Sequence, residues 1–460
     1  MLGRHAIRLP DTGSRHLVRV RRHSVFRVIG LSALAVVLFG TSAVAAYIKA
    51  LNSNIESYDV TDLLGGTNRP EDQASTQGDK SLLDPFAGRP VNLAVFGLDS
   101  REGENSRIAS DAGDGGELND VNMVVHIAAD RQRVDVVSIP RDTLVDLPDC
   151  FQPDGQEHAG WQAMINAAYG HGSGGDPSMR REGVACVQRT FEAATGIRFD
   201  GYIMVDFIGF VGMVDAIGGV DMCLEEDFRG TGLVLELSAG AHHMDGRTAL
   251  RYARTRHGYV GNQSLDGGDL GRISRQHQLM AAVAHGVLAQ NSLSSLPALN
   301  SFAMALTSSL VVSPNLDSVT EMVGLAHSMR GIDMDSISML TAPVVAASSD
   351  VNRLVFDEYG SSNTLGLTAE ELFTLLARDQ LVPGTVPWKL ANPQPAYGSQ
   401  MDSGAAQDSE GFSQDAAPGD ERPFTSGGAD TPGGAPNPDG KVVPDEGIRS
   451  VLDAPITCRS

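Results

Sequence analysis

The chain has 460 residues and a formal net charge of −22. Its length allows two or three domains, and a hydrophobic content of 42% is enough to fill a core. So acidic a balance excludes non-specific nucleic-acid binding, which needs a basic surface against the phosphate backbone.

The first 27 residues run against this trend. Arg4, Arg8, Arg15, Arg19, Arg21, Arg22 and Arg27 stand against Asp11 alone, giving a basic segment at net +6 and leaving −28 for the rest. Residues 28–48 carry no charge, and about 20 such residues are what a helix needs to cross the hydrocarbon core. Basic flanks stay inside, so the sequence predicts a single-pass protein of the cell membrane with its N-terminus cytoplasmic and everything later extracellular. The small residues from Thr41 to Ala46 would also suit a signal peptidase. The length of the apolar span and of the basic region before it favours a retained anchor.

Residues 49–88 mix Asn, Ser, Asp, Gly and Gln with few apolar runs and read as a stalk. The globular domain is expected over 89–381. Val91–Phe96 reads as a buried strand, and Asn122–Ile127 and Val134–Ile139 as a hairpin turning at 128–133. Tyr202–Phe207 is a fourth strand. Helical spacing covers 178–194, 207–217, 274–290, 296–310 and 316–329. Residues 336–340 return to the sheet, and 367–379 form a last helix with Thr368 as cap and Glu371 three residues on. This order predicts an α/β fold, a mixed central β-sheet sandwiched between helices. Residues 382–460 are rich in Gly, Pro and Asp and read as a disordered tail.

Cys150, Cys186, Cys223 and Cys458 all follow the apolar span. An even count in an oxidising compartment predicts two disulfides. A cysteine ending a disordered tail ties back most simply to Cys223, which leaves Cys150 with Cys186. Buried free thiols are the alternative.

The chemistry concentrates in four polar segments. The most informative is Arg247 to Gln276, which holds Arg247, Arg251, Arg254, Arg256, Arg272 and Arg275 and no lysine. Guanidinium is planar, forked and permanently charged, which suits phosphate oxygens. Asp245, Asp266 and Asp269 are too few to neutralise these arginines locally, so an anion site is favoured over surface ion pairs. Arg254 and Arg256 share a face only if the backbone there is extended. Asp269-Leu270-Gly271-Arg272 precedes a helix expected from near Ile273, and helix N-termini attract anions. The other segments are Gly97-Leu98-Asp99-Ser100-Arg101 after the first strand, Asn119-Asp120 before the second, and Pro140-Arg141-Asp142 after the third. Each alone also reads as an ordinary turn. Ile165 to Gly170 is a polar-apolar helix whose Asn166 and Tyr169 either line the site or pack. Aspartates and arginines together outside the membrane point to a magnesium-bridged phosphate. With no GxxxxGK[ST] loop, and ATP scarce outside cells, the donor expected is a membrane-borne pyrophosphate.

Taken together, VNLAVFGLDSRE, NDVNMVVHI, VDVVSIPRDTLVDLP, MINAAYGHG, ATGIRFDGYIMVDFIGFVGMVDAIGGVDMCL and LRYARTRHG…DLGRISRQ resemble the LytR-CpsA-Psr family of cell-envelope phosphotransferases over residues 90 to 345. The resemblance implies transfer of a glycopolymer from a polyprenyl-pyrophosphate carrier to peptidoglycan through a phosphodiester. It implies Mg²⁺ on Asp99 and Asp120, and a pyrophosphate clamp of Arg101, Arg141, Arg254, Arg256 and Arg272. Arg141, Arg256 and Arg272 would be catalytic, and Gln276 would orient the head group. Asp142 or Asp269 would serve as general base, and the lipid would lie in an apolar tunnel lined from 203–217 and 277–310. One departure stands out: the family often has Arg-Ser or Arg-Ala where this chain has Leu118-Asn119. A non-catalytic receptor for the lipid or polymer, and a pyrophosphatase of the same lipid, are the rival functions.

Overall fold

Alternating apolar residues build the central sheet of this chain. The computed structural model describes residues 22–65, 84–100, 105, 117–152, 154–176, 178–231, 235–265, 269–289, 296–332, 334–363, 366–385 and 448–450. Two compact units divide the chain at Ala50 and Leu51. The described part of the first is residues 22–50 of helix α1 (Arg22–Asn52), whose segment Ile29–Asn52 is apolar, unburied and long enough at 24 residues to cross a bilayer.

The second unit is organised around an eight-stranded mixed sheet. Its strands in chain order are β1 (Glu56–Ser57), β2 (Val91–Asp99), β3 (Leu118–Ile127), β4 (Val134–Ser138), β5 (Gly201–Asp206), β6 (Leu310–Val312), β7 (Ile337–Thr341) and β8 (Ile448–Ser450). Across the sheet they run β1-β6-β5-β2-β3-β4-β7-β8. The β2–β5 and β4–β7 pairs are parallel, and β2–β3 and β3–β4 are antiparallel. The expected hairpin is the β3–β4 pair. It turns at Arg131, whose positive φ of 56° is unusual for a side-chain-bearing residue. Its buried guanidinium bonds Asp84, the Phe86 carbonyl and the Arg89 carbonyl, stitching the segment before β2 to this turn.

Period-two alternation sends β2 into two cores. Ala94, Phe96 and Leu98 join Val124, Val137, Tyr202 and Leu340 under the helices Ala168–Ser173 (α2), Arg180–Thr195 (α3) and Ala369–Ala377. On the opposite face Val91 and Leu93 pack with Val312 and Leu325, and Met123 and Val136 pack with Ala281. Each large side chain buried this way contributes about 1.5–3 kcal/mol. The helices on this second face are Phe207–Ala216 (α4), Gly246–Arg254 (α5), Asp269–Ala289 (α6), Leu296–Ser309 (α7) and Val319–Ser328 (α8), and the first three carry a further core with short strands from Val220 to Val260. The mixed sheet between helices is the architecture expected from sequence.

The differences have physical reasons. The short strands between Val220 and Ser264 carry too little alternation for the sequence to reveal them. Phe207 opens α4 instead of closing a strand, because the Asp206 carboxylate caps the helix by accepting from the Gly209 N–H at 2.7 Å. Helix α6 starts at Asp269 and not near Ile273, so Asp269 and Arg272 lie one turn apart on the helix itself. Residues 56–64, read as stalk, add β1 to the sheet edge beside β6 and bury Val60 and Leu64 in the main core. In the segment read as a disordered tail, Val382 and Thr385 are buried and β8 pairs with β7; the remainder lies outside the described residues.

Cys150 and Cys186 form the expected disulfide, with a Cα–Cα distance of 5.5 Å. Cys223 is also disulfide-bonded, and Cys458 lies outside the described residues. The Cys150–Cys186 bridge spans 36 residues of chain. Closing a loop of that size in the unfolded state favours the native state by about 4 kcal/mol. A Cys150→Ser/Cys186→Ser chain is therefore expected to unfold in urea with a stability lower by about 2–4 kcal/mol, measured against the oxidised parent.

Candidate functional site

The site begins with an irregularity in the β2–β3 ladder. Gly97 pairs with Val121 and Leu98 pairs with Asn119, so Asp120 is left out as the extra residue of a β-bulge. Position 97 is tight for a side chain: a Cβ there would lie 3.0 Å from the Val121 Cβ, so Val121 would have to give by a few tenths of an ångström. The bulge brings Asn119 and Asn122 into contact with each other at 2.5 Å, and Asn119 also accepts from the Tyr169 N–H at 3.0 Å. Asn119 is thus a buried amide that ties β3 to α2.

Asp120, released from the ladder, meets three arginines carried by three different elements. Arg141, just past β4, donates Nη1 to both carboxylate oxygens at 2.9 and 3.0 Å. Arg256, two residues beyond the end of α5, donates Nη2 at 3.3 Å. Arg272, in the first turn of α6, donates to the Asp120 carbonyl at 3.3 Å and holds Nη1 3.9 Å from its carboxylate. Asn166 adds a fourth donor at 3.3 Å. Asp99 ends β2 and is the ladder partner of Leu118, two residues from Asp120.

Asp269 locks the cations in place. Its Oδ2 accepts the Arg141 backbone N–H at 2.9 Å, and its Oδ1 pairs with the Arg272 guanidinium. Both of its oxygens are committed. Asp142 is less engaged, its Oδ1 lying 3.5 Å from Arg141 Nε. Burial, with help from the Asp269 charge, pushes the Asp142 carboxyl above the usual range, although Arg141 opposes this.

The six arginines of the sequence cluster divide by role. Arg256 and Arg272 reach Asp120. Arg254, at the end of α5, instead stacks its guanidinium 4.1 Å over the Phe207 ring. Arg275 is buried, donates to the Thr255 carbonyl and so fixes the backbone that carries Arg256. Arg247 and Arg251 are exposed. Because α5 stops at Arg254 and Thr255 is extended, Arg254 and Arg256 do not share a helix. Gln276 is half-buried on α6, one turn after Arg272, and Arg101 lies outside the described residues. Tyr169 is wholly buried against Gly183 and belongs to the core, whereas its neighbour Asn166 belongs to the site.

Comparison with known proteins identifies the family of the chain. The profile of the LytR_cpsA_psr family matches residues 57–366, well over half of the chain. The chain belongs to the LytR_cpsA_psr family. Among its relatives it is 31% identical over 282 residues to the probable cell wall biosynthesis protein LcpB of Corynebacterium glutamicum, covering 59% of each chain. It is 28% identical to LcpA of the same organism, covering 56% of this chain and 50% of LcpA. The match thus spans less than two thirds of these curated relatives. Among solved structures, a LytR-Csp2A-Psr enzyme from Actinomyces oris is 16% identical with a TM-score of 0.46, covering 72% of this chain and 97% of that one. TagT bound to LIIa-WTA is 18% identical with a TM-score of 0.42, covering 69% of this chain and 98% of that one.

One residue of this family member escaped the sequence reading. His277, on α6 beneath the arginines, forms a hydrogen bond between Nε2 and Ser138 Oγ at 2.8 Å. It joins the helix bearing Arg272 to the strand leading to Arg141. Its only sequence signal was its place after Arg275-Gln276. Burial pushes its imidazole down to about 4.

An unfolded chain takes up this proton near pH 6.5, but the folded chain refuses it until about pH 4. The linked stability is therefore lost as pH falls through that window, by up to about 3 kcal/mol. Asp135, held up to about 6 by burial, works in the opposite sense, since its folded form binds the proton first. In urea titrations from pH 7 to 4, His277→Gln is expected to lose less stability on acidification than the parent. An unchanged pH slope would contradict a buried neutral imidazole.

Proposed function

We propose that the chain is a membrane-anchored, extracytoplasmic transferase. It moves a glycopolymer from a polyprenyl-pyrophosphate carrier to peptidoglycan through a phosphodiester. The observation that carries this reading is the convergence on Asp120 of Arg141 and, more than a hundred residues further along the chain, of Arg256 and Arg272. Membership of the family supports the same chemistry, and α1 supplies a helix long enough to hold the chain at a membrane.

Three guanidiniums around Asp120 form a cradle that a diphosphate can enter by exchange. Phosphate oxygens that take over the forks of Arg141 and Arg256 release the Asp120 carboxylate to accept a cation. Asp99 and Asp120 offer hard oxygen donors at the same end of neighbouring strands, a donor set that suits Mg²⁺ with phosphate and water completing its shell. When bound, Mg²⁺ neutralises developing charge on the phosphates.

The protein's own groups do the rest. Arg141 and Arg272, both braced by Asp269, hold the bridging and terminal oxygens and stabilise charge on the departing polyprenyl phosphate. Arg256, with 41% of its side chain exposed, is placed to follow the phosphate as it moves. Asp142 takes the proton of the attacking sugar hydroxyl, because its carboxylate is held only by a 3.5 Å contact with Arg141 and is made more basic by burial. Asp269 positions the cradle and takes no proton.

The test is a transfer assay with a synthetic lipid-linked donor and the full chain in detergent. Arg141→Ala and Arg256→Ala are expected to lower the rate about a hundredfold or more, with circular dichroism unchanged. Chelation of divalent cations should abolish turnover and added Mg²⁺ restore it. Asp142→Asn should lower kcat about a hundredfold and remove the acid limb of the rate profile, in which the parent gains activity as Asp142 deprotonates. Parental rates in both arginine variants would overturn the proposal, and tight donor binding without turnover would make the chain a receptor.

A further inference from the structure

Beyond the site, a narrow ribbon rises from its base. The Thr143 carbonyl accepts from the Ile165 N–H at 2.8 Å, next to Asp142 on one strand and Asn166 on the other. From there Leu144–Asp146 pairs antiparallel with Gln162–Met164. At the far end stands Trp161, 52% exposed although it is one of only two tryptophans in the chain.

This indole is exposed but held. Its ring meets the buried His171 edge to face at 4.6 Å and 73°. Its carbonyl accepts from the Leu147 N–H at 3.0 Å. Gly160 beside it is packed so closely that a Cβ would lie 1.8 Å from the Leu147 carbonyl oxygen, and its N–H bonds Asp149 at 2.8 Å. The Cys150–Cys186 bridge pins the same loop to α3. So many constraints on one exposed ring are not needed for burial, since half of the ring stays wet.

We propose that Trp161 is a stacking platform for the acceptor glycan, on which a pyranose ring of the N-acetylated polysaccharide rests while a neighbouring sugar reaches Asp142. This rests on the transferase reading above. Aromatic rings combine a flat apolar face with low conformational cost, and the C–H face of a pyranose is the matching surface. A protein partner would ask for a broader apolar patch. Here the flanking Asp146, Asp149 and Gln162 are exposed and polar, which suits sugar hydroxyls. Asn166 lies five residues along the chain from Trp161, past the strand Gln162–Met164 and within the 3-10 turn Ile165–Ala167, so a short run of sugars bridges ledge and site.

The experiment uses the full chain in detergent, a lipid-linked donor, and a tetrasaccharide of β-1,4-linked N-acetylated hexosamines as acceptor. Trp161→Ala is expected to raise the KM for the tetrasaccharide about tenfold, with kcat and water-dependent release of polyprenyl phosphate within about twofold of the parent. Trp161→Phe, which keeps a flat ring, should recover most of the affinity. Separately, in a Trp388→Phe chain without donor, the tetrasaccharide should quench Trp161 fluorescence to saturation. An unchanged acceptor KM in Trp161→Ala, a shift in donor KM instead, or no saturable quenching would overturn the platform. Saturable quenching in a chain that transfers to no sugar would uphold the platform and discard the transferase reading.

Discussion

The structure depends on one carboxylate that the β-ladder cannot accommodate. Asp120 is extruded by a bulge opposite Gly97, and its ejected side chain gathers Arg141, Arg256 and Arg272. Three guanidiniums within reach of one another repel, and each is costly to place at a partly buried site unless it is paired. Asp120 and Asp269 supply that pairing from within the protein. The three guanidiniums are therefore held at fixed positions by the protein's own carboxylates.

The fold serves this arrangement by bringing three carriers to one end of the sheet. Strand β4 delivers Arg141, the end of α5 delivers Arg256, and the first turn of α6 delivers Arg272. Each carrier has its own brace. Asp269 binds the Arg141 backbone, Arg275 holds the Thr255 carbonyl, and His277 ties α6 to Ser138. These braces are buried and give no signal in an acidic, arginine-rich sequence, because a brace and a ligand group look alike until contacts are known.

Legibility in the sequence followed period and chemistry. The strands Val91–Asp99 and Val134–Ser138 and the helix Arg180–Thr195 were readable because one periodicity runs through each. The short strands from Val220 to Ser264 were not, since two to five residues cannot establish a period. Among site residues, Arg141, Arg256, Arg272, Asp120, Asp142 and Asp269 come together as the motifs implied. Arg254 does not join them, because helix α5 ends there and sends it onto Phe207. The bulge itself is invisible in sequence: Asn119-Asp120 reads as an ordinary turn before a strand, and only the register shows which residue is extra.

The Cys150–Cys186 bridge adds a matter of timing. Thiols made in a reducing compartment stay open, and a bridge of this kind persists only where the surroundings oxidise it. Until then the ribbon leading to Asn166 is held by its strand pairing and backbone hydrogen bonds, without the covalent tie of its neighbouring loop to α3. The bridged form of this region is therefore one that an oxidising compartment sustains and a reducing one undoes.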